Sequence, residues 1–119
     1  MEKVNVIHKF ELFQEHWDPK IVGELNGQQV KLVKLLGKFI WHLHENEDEL
    51  FYVVKGKFVM HFRSKEVEVG ENEFLIVPKG IEHKPEAADE VWLMLFEPKS
   101  TINTGNVNSE LTKRLLERM

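Results

Sequence analysis

The chain contains no cysteine. That excludes a disulfide framework, thiolate zinc sites, iron–sulfur clusters and cysteine nucleophiles. Long apolar runs are missing as well. The longest, Val91–Phe96, has six residues, against about 20 for a membrane-spanning helix. Residues 1–10 mix Glu2, Lys3, His8 and Lys9 with single apolar residues, so the hydrophobic region of a signal peptide is absent from this stretch. Positive charge is not in excess: 16 Lys and Arg stand against 20 Asp and Glu, for a net charge of −4. A nucleic-acid binder carries a basic patch and a high pI, and docking on anionic membranes needs basic clusters. There is no internal repeat and no low-complexity tract. These absences predict a cytoplasmic protein that partners neither nucleic acid nor membrane.

What is present describes one folded domain. At 119 residues, 42% hydrophobic and 30% charged, the chain has room for a single core and the composition to build it. Most of it reads as short strands between turns. Ile21–Leu25 and Val30–Leu36 flank Asn26-Gly27, a dipeptide that accepts the positive φ angles of a tight hairpin turn. Further strands are expected over 39–44, 49–55, 57–63, 66–69, 73–77 and 91–97. The stretches 45–48, 64–65, 78–80 and 84–89, with Gly37, Gly56 and Gly70, connect them. About eight short strands at this spacing predict an antiparallel sandwich or barrel. Helices are expected only at the ends. Phe10, Phe13 and Trp17 share a helical face before Asp18-Pro19. Leu111, Leu115 and Met119 recur every four residues after a Ser109 cap. Residues 49–54 and 91–96 are apolar on both faces, whereas an antiparallel strand with one wet face alternates. A terminal segment or a second copy of the chain must cover the outer side.

Chemistry concentrates in two stretches. On an extended chain, residues two apart point the same way, so His42 and His44 present two imidazoles on one face. Alone, such a pair is a weak signal. Glu49 opens the next strand five residues after His44, and His83 follows a Pro78-x-Gly80 turn. Three imidazoles and a carboxylate form a mixed nitrogen and oxygen set. It suits one divalent transition metal ion, iron, manganese, nickel, copper, cobalt or zinc, rather than calcium, which prefers oxygen ligands. Glu45 and Glu47 compete with Glu49 for the carboxylate role, but strand parity chooses Glu49. His8, His16 and His61 lie outside these stretches, and Lys79 sits exposed in the turn before His83.

These residues resemble the two motifs of the cupin superfamily in its small single-domain form. The first motif reads G-x5-H-x-H-x3,4-E-x6-G, and Gly37, His42, His44, Glu49 and Gly56 fit it with four residues between Gly37 and His42. The second reads G-x5-P-x-G-x2-H-x3-N, and Gly70, Pro78, Gly80 and His83 fit it with seven residues between Gly70 and Pro78; Ala87 stands at the terminal Asn position. The stretch 98–106 is similar to the tail of a group of small bacterial cupins. The resemblance implies an all-β double-stranded β-helix, a jelly-roll barrel, with short terminal helices. Residues 1–30 then form an N-terminal segment and first hairpin, 31–98 the barrel core, and 99–119 a tail with a short helix. It also carries metal-ligand roles to His42, His44, Glu49 and His83.

Fold does not imply function, and cupins host dioxygenases, isomerases, epimerases, decarboxylases, sensors and storage proteins. Four protein ligands on an octahedral ion leave two positions for a small molecule with adjacent oxygens, or for a small molecule and dioxygen. The reading that follows is a metal-dependent small-molecule enzyme, dioxygenase- or isomerase-like. A non-catalytic module binding a small ligand or the metal, and a structural dimer with the metal as staple, are the alternatives. Ile40, Phe51, Val53, Met60, Phe62 and Met94 are the expected lining of the barrel pocket. A homodimer burying Leu50, Tyr52 and Val54 is expected from the doubly apolar strands.

Overall fold

The computed structural model describes all 119 residues. One short helix, α1 (Val6–Phe10), precedes seven strands: β1 (Lys20–Leu25), β2 (Gln28–Lys38), β3 (Glu49–Lys55), β4 (Lys57–Phe62), β5 (Glu66–Gly70), β6 (Phe74–Val77) and β7 (His83–Pro98). All strand pairs are antiparallel, in the order β1-β2-β7-β3-β6, with β4 joining β7 to β5. Asn26 and Gly27 take φ values of 51° and 78°, as the β1–β2 hairpin requires. No helix is long and apolar enough to cross a membrane.

The long strand β7 closes the barrel. Its first residues pair with β4, His83 lying opposite Phe62, and its later residues pair with β3, Phe96 lying opposite Leu50. On its other edge β2 runs along almost the whole strand. On the β2 side the register shifts across residues 88–90, and on the other edge the strand passes between Glu86 and Trp92 from pairing with β4 to pairing with β3. The connection expected over 84–89 is therefore strand. Its polar composition reflects an irregularity within a strand. Gly56 faces the same place: a Cβ there would lie 3.0 Å from the Glu90 carbonyl oxygen, so only glycine lets the β3–β4 turn approach so closely.

Strand parity sorts the side chains. Val33 and Leu35 of β2, Phe51 and Val53 of β3, Phe58 and Met60 of β4, and Val91, Leu93 and Leu95 of β7 form the main core. On the opposite side Phe10, Phe13 and Leu32 make a second cluster, against which Val54, Trp92 and Met94 pack. Phe10 stacks on Trp92 with ring centroids 4.9 Å apart. The N-terminal segment is thus the cover that part of β3 and β7 needed. Met94 belongs to this outer cluster and not to the barrel interior, because Leu93 and Leu95 take the inward positions. Val54 is covered within the chain in the same way.

Both terminal helices differ from expectation. The N-terminal helix ends at Phe10, and Trp17 adopts a φ of 59°, incompatible with a helix reaching it. No helix forms over 109–119. The Asn103 side chain accepts from the Lys113 N–H and donates to the Leu111 carbonyl, while Ser109 accepts from the Leu111 N–H and Thr112 from the Ser109 N–H. Side chains thereby take the backbone groups a helix would pair internally. The chain then bridges to β1, Ile21 donating to the Glu117 carbonyl and accepting from Met119. Leu115, on the expected apolar face, is 95% exposed.

Phe10 is fully buried and holds the N-terminal cover in place. Phe10→Ala is expected to cost about 3–5 kcal/mol, the usual range for truncating a buried phenylalanine. The shift of the urea midpoint measures it. A loss below about 1 kcal/mol would mean that the cover is only loosely attached.

Candidate metal centre

His42, His44, Glu49 and His83 meet at one end of the barrel, all four buried, with one ligand atom from each lying within 4.8 Å of the others. Each arrives by a different local route. Glu49 is the first residue of β3 and His83 the first of β7. His42 and His44 lie on a segment that was expected to be a strand over 39–44. It is held instead by a single antiparallel bridge, the His42 N–H donating to the His83 carbonyl at 3.0 Å and the His83 N–H to the His42 carbonyl at 2.9 Å. Gly80 N–H donates to the His44 carbonyl at 2.8 Å. The chain is extended enough for His42 and His44 to keep the same inward parity.

The imidazole orientations are fixed from behind. Nδ1 of His42 lies 2.9 Å from the Ile40 carbonyl and Nδ1 of His83 lies 2.8 Å from the Ile81 carbonyl. A ring that donates from Nδ1 offers the Nε2 lone pair at its other end. His44 Nε2 lies 2.8 Å and His83 Nε2 3.4 Å from Glu49 Oε1. Those three atoms are buried, and none makes an aligned hydrogen bond. With a ring nitrogen of His42 they lie within 4.8 Å of one another. Buried polar atoms without partners are costly, and a cation accepting their lone pairs would satisfy all of them. The donor set therefore fits a divalent transition metal.

The tail closes this end. Asn106 N–H donates to the Leu43 carbonyl, and the Leu43 N–H donates to Asn106 Oδ1. Gly105 has a φ of 55°, and a Cβ there would lie 2.9 Å from the Leu43 carbonyl carbon and 3.2 Å from His44 Nδ1. Among the competing acids, Glu45 is exposed and Glu47 accepts from Ser100 Oγ at 2.9 Å. The remaining histidines lie elsewhere. His16 pairs with Glu90, His61 pairs with Glu86, and His8 is exposed. Lys79 is exposed and uses its backbone N–H to contact Asp48.

Beside the cluster lies a cavity of about 50 Å³, walled by His42, Glu49, Glu97 and mainly apolar groups, including Trp17, Phe39 and Phe51. Trp17 stacks on Phe39 at 4.8 Å and donates through its indole to the Leu36 carbonyl at 2.8 Å. Of the expected lining, Phe51 reaches the cavity. Val53 and Met60 lie in the core behind it, Phe62 packs on that core, and Ile40 contributes its carbonyl to His42. Glu97 and its partner Lys31, 2.8 Å apart, were not singled out in the sequence. No local pattern marks them: Lys34 shares β2 with Lys31, and the inward face of β7 is set by its partners in the sheet.

Electrostatics follow from burial. His42 is pushed down to about 4, chiefly by desolvation and then by the nearby His83. For Glu49, burial acts upward, but interactions with Glu97, His44 and His83 outweigh it and hold the carboxyl well below the usual range. Burial and the Glu49 charge push Glu97 well above that range.

A family model described as a Cupin domain matches residues 32–97. A cupin-2 domain containing protein from Shewanella frigidimarina is 42% identical, covering 81% of this chain and 94% of that one, with a TM-score of 0.80. Protein NMB1881 from Neisseria meningitidis is 31% identical, covering 82% of this chain and all of that one, with a TM-score of 0.76. The uncharacterized protein YdbB of Bacillus subtilis is 38% identical over 64 residues, which are 53% of this chain and 57% of that protein's length.

The depressed His42 makes the metal-free protein acid-sensitive. Its imidazole has an ordinary value of 6.5 when unfolded and about 4 when folded. Between those values the unfolded chain binds more protons, so stability falls as pH drops through that window. The loss expected from this group is roughly 3 kcal/mol, at 1.36 kcal/mol per unit. Denaturant melts of metal-free protein across the window measure it. His42→Gln should flatten the dependence, and an unchanged slope would assign the loss to other groups.

Proposed function

The chain belongs to the cupin family, and from that footing we propose that it binds one divalent transition metal through His42, His44, Glu49 and His83 and acts on a small molecule as a dioxygenase- or isomerase-like enzyme. The supporting observation is the convergence of four buried ligand atoms within 4.8 Å at the wall of an apolar cavity. Bound there, the metal supplies Lewis-acid or redox chemistry at the positions the protein leaves open. The protein's own groups do the rest. The Ile40 and Ile81 carbonyls hold two imidazoles in a ligating tautomer. Trp17, Phe39 and Phe51 give the adjoining space an apolar wall. A cavity of about 50 Å³ is far below the roughly 300–1,000 Å³ of drug-sized sites, so the substrate is small.

Assembly as a homodimer is part of the same reading. Phe74 and Ile76 on edge strand β6 are 60% and 53% exposed, and they lie opposite Tyr52 and Leu50 in the register. An apolar stripe on a sheet edge is a surface that a second copy would cover.

Elemental analysis of protein purified without added metal tests the metal reading. About one equivalent per chain is expected, and His83→Ala should remove most of it, since one imidazole of the set is lost. Full occupancy after that change would place the metal elsewhere. Turnover screening of the loaded protein against small oxygenated compounds then separates an enzyme from a binding module. Sedimentation at micromolar concentration should give a dimer, and Ile76→Asp should shift it toward monomer. A monomeric parent protein would defeat the assembly proposal.

A further inference from the structure

Lys31, Glu97 and Glu49 form a line of buried charge across the barrel that ends at the candidate ligands. The β3–β7 register sets Leu50 opposite Phe96, so its next step sets Glu49 opposite Glu97. On the other edge of β7, Glu97 lies opposite Gln29 and Leu95 opposite Lys31, which makes Lys31 the diagonal neighbour of Glu97 on the same inward face. Lys31 Nζ donates to Glu97 Oε1 at 2.8 Å, and the two side chains are 2% and 3% exposed. Glu97 Oε2 and Glu49 Oε1 are both buried without a hydrogen-bond partner. Glu97 shares the cavity wall with Glu49 and His42.

Two carboxylates directly opposite each other destabilise a sheet, and a buried charge needs a counter-charge. Here one ammonium serves two carboxyl groups. A cation at the point where the imidazoles converge would answer the other, and a purely structural Lys–Glu pair would gain nothing by facing a second carboxylate. Resting on the metal reading above, we propose that Glu97 and Lys31 are positioning residues of the centre: Lys31 holds Glu97, and Glu97 orients the Glu49 carboxylate and sets the charge that a bound cation meets. Their effects on metal affinity have opposite signs. Replacing the Glu97 carboxyl by a neutral amide takes away the group that steadies Glu49 and leaves the Lys31 ammonium facing the metal, which weakens binding. Removing the ammonium leaves two carboxylates for one cation and strengthens it.

The test titrates metal-free parent protein, Glu97→Gln, Lys31→Met and the double variant with Co²⁺ alone, by calorimetry and by the visible absorption of the bound ion. All are measured at one pH above the histidine range, with thermal melts to establish folding. Glu97→Gln should bind about 10–100-fold more weakly, the usual cost of losing a partner that orients a ligand. Lys31→Met should bind more tightly than the parent, and the double variant should recover part of the affinity lost in Glu97→Gln. Equal affinity in parent and Glu97→Gln, or weakening in both single variants, would make the pair structural and overturn the proposal. If Glu97→Gln fails to fold, Lys31→Met decides: tighter binding supports the proposal, and equal or weaker binding overturns it. A parent protein that binds no Co²⁺ would instead reject the metal reading itself, an outcome distinct from the others.

Discussion

The reciprocal backbone hydrogen bonds between His42 and His83, at 3.0 and 2.9 Å, carry the organisation of this end of the molecule. The segment 39–44 has no strand of its own to pair along, and this bridge places it against the start of β7. Two of the four candidate ligands are thereby brought side by side, with ring centroids 4.3 Å apart and planes tilted by 53°. His44 follows by parity, and Glu49 follows because β3 runs beside β7. The long strand is the common element. It contributes the ligand His83 at its start and, near its end, Glu97, which walls the adjoining cavity.

Concentrating this much polar chemistry in a buried place has structural consequences. The imidazoles cannot be solvated, and the carbonyls of Ile40 and Ile81 fix the orientation of His42 and His83. The same burial that depresses His42 also strengthens each remaining electrostatic interaction. Unsatisfied lone pairs in a low-dielectric setting are tolerated where they serve a ligand. The rest of the fold supports this arrangement from outside. The N-terminal segment covers one flank of β2, β3 and β7 through Phe10 and Phe13. The tail closes the end where the ligands meet, with Gly105 so near Leu43 that no side chain fits.

The barrel itself was legible. The Asn26-Gly27 turn, the alternation of Glu49, Phe51 and Val53, and the two cupin-like motifs each require only local residue patterns, and the strands lie where those patterns put them, except over 39–44, which forms an isolated bridge instead of a strand. The four-residue cluster was legible in part for the same reason: parity along an extended chain is a local property and gives His42 and His44 a shared face, while the cupin-like motifs joined Glu49 and His83 to them. The failures cluster where a local pattern competes with distant partners. The spacing of Leu111, Leu115 and Met119 is helical, yet Asn103 and Ile21 claim the backbone groups that such a helix needs. Residues 84–89 read as a connection, yet β2 and β4 supply pairing partners that extend β7 through them.

By itself the sequence determined the all-β class, the hairpin, the inward parity of the histidines and the type of ion that their donor atoms suit. These depend on side-chain chemistry and on the two-residue period of an extended chain, both readable without neighbours. Tertiary structure alone decided which face of β7 turned inward, and so put Met94 outside and Glu97 at the cavity. It alone decided that Lys31, remote in sequence, is the partner of Glu97, and that Trp17 walls the site from a strained backbone. The physical reason is that cross-strand pairing and burial are settled by contacts between segments far apart in the chain. A charged residue at an inward position acquires meaning only when the strand opposite it is known.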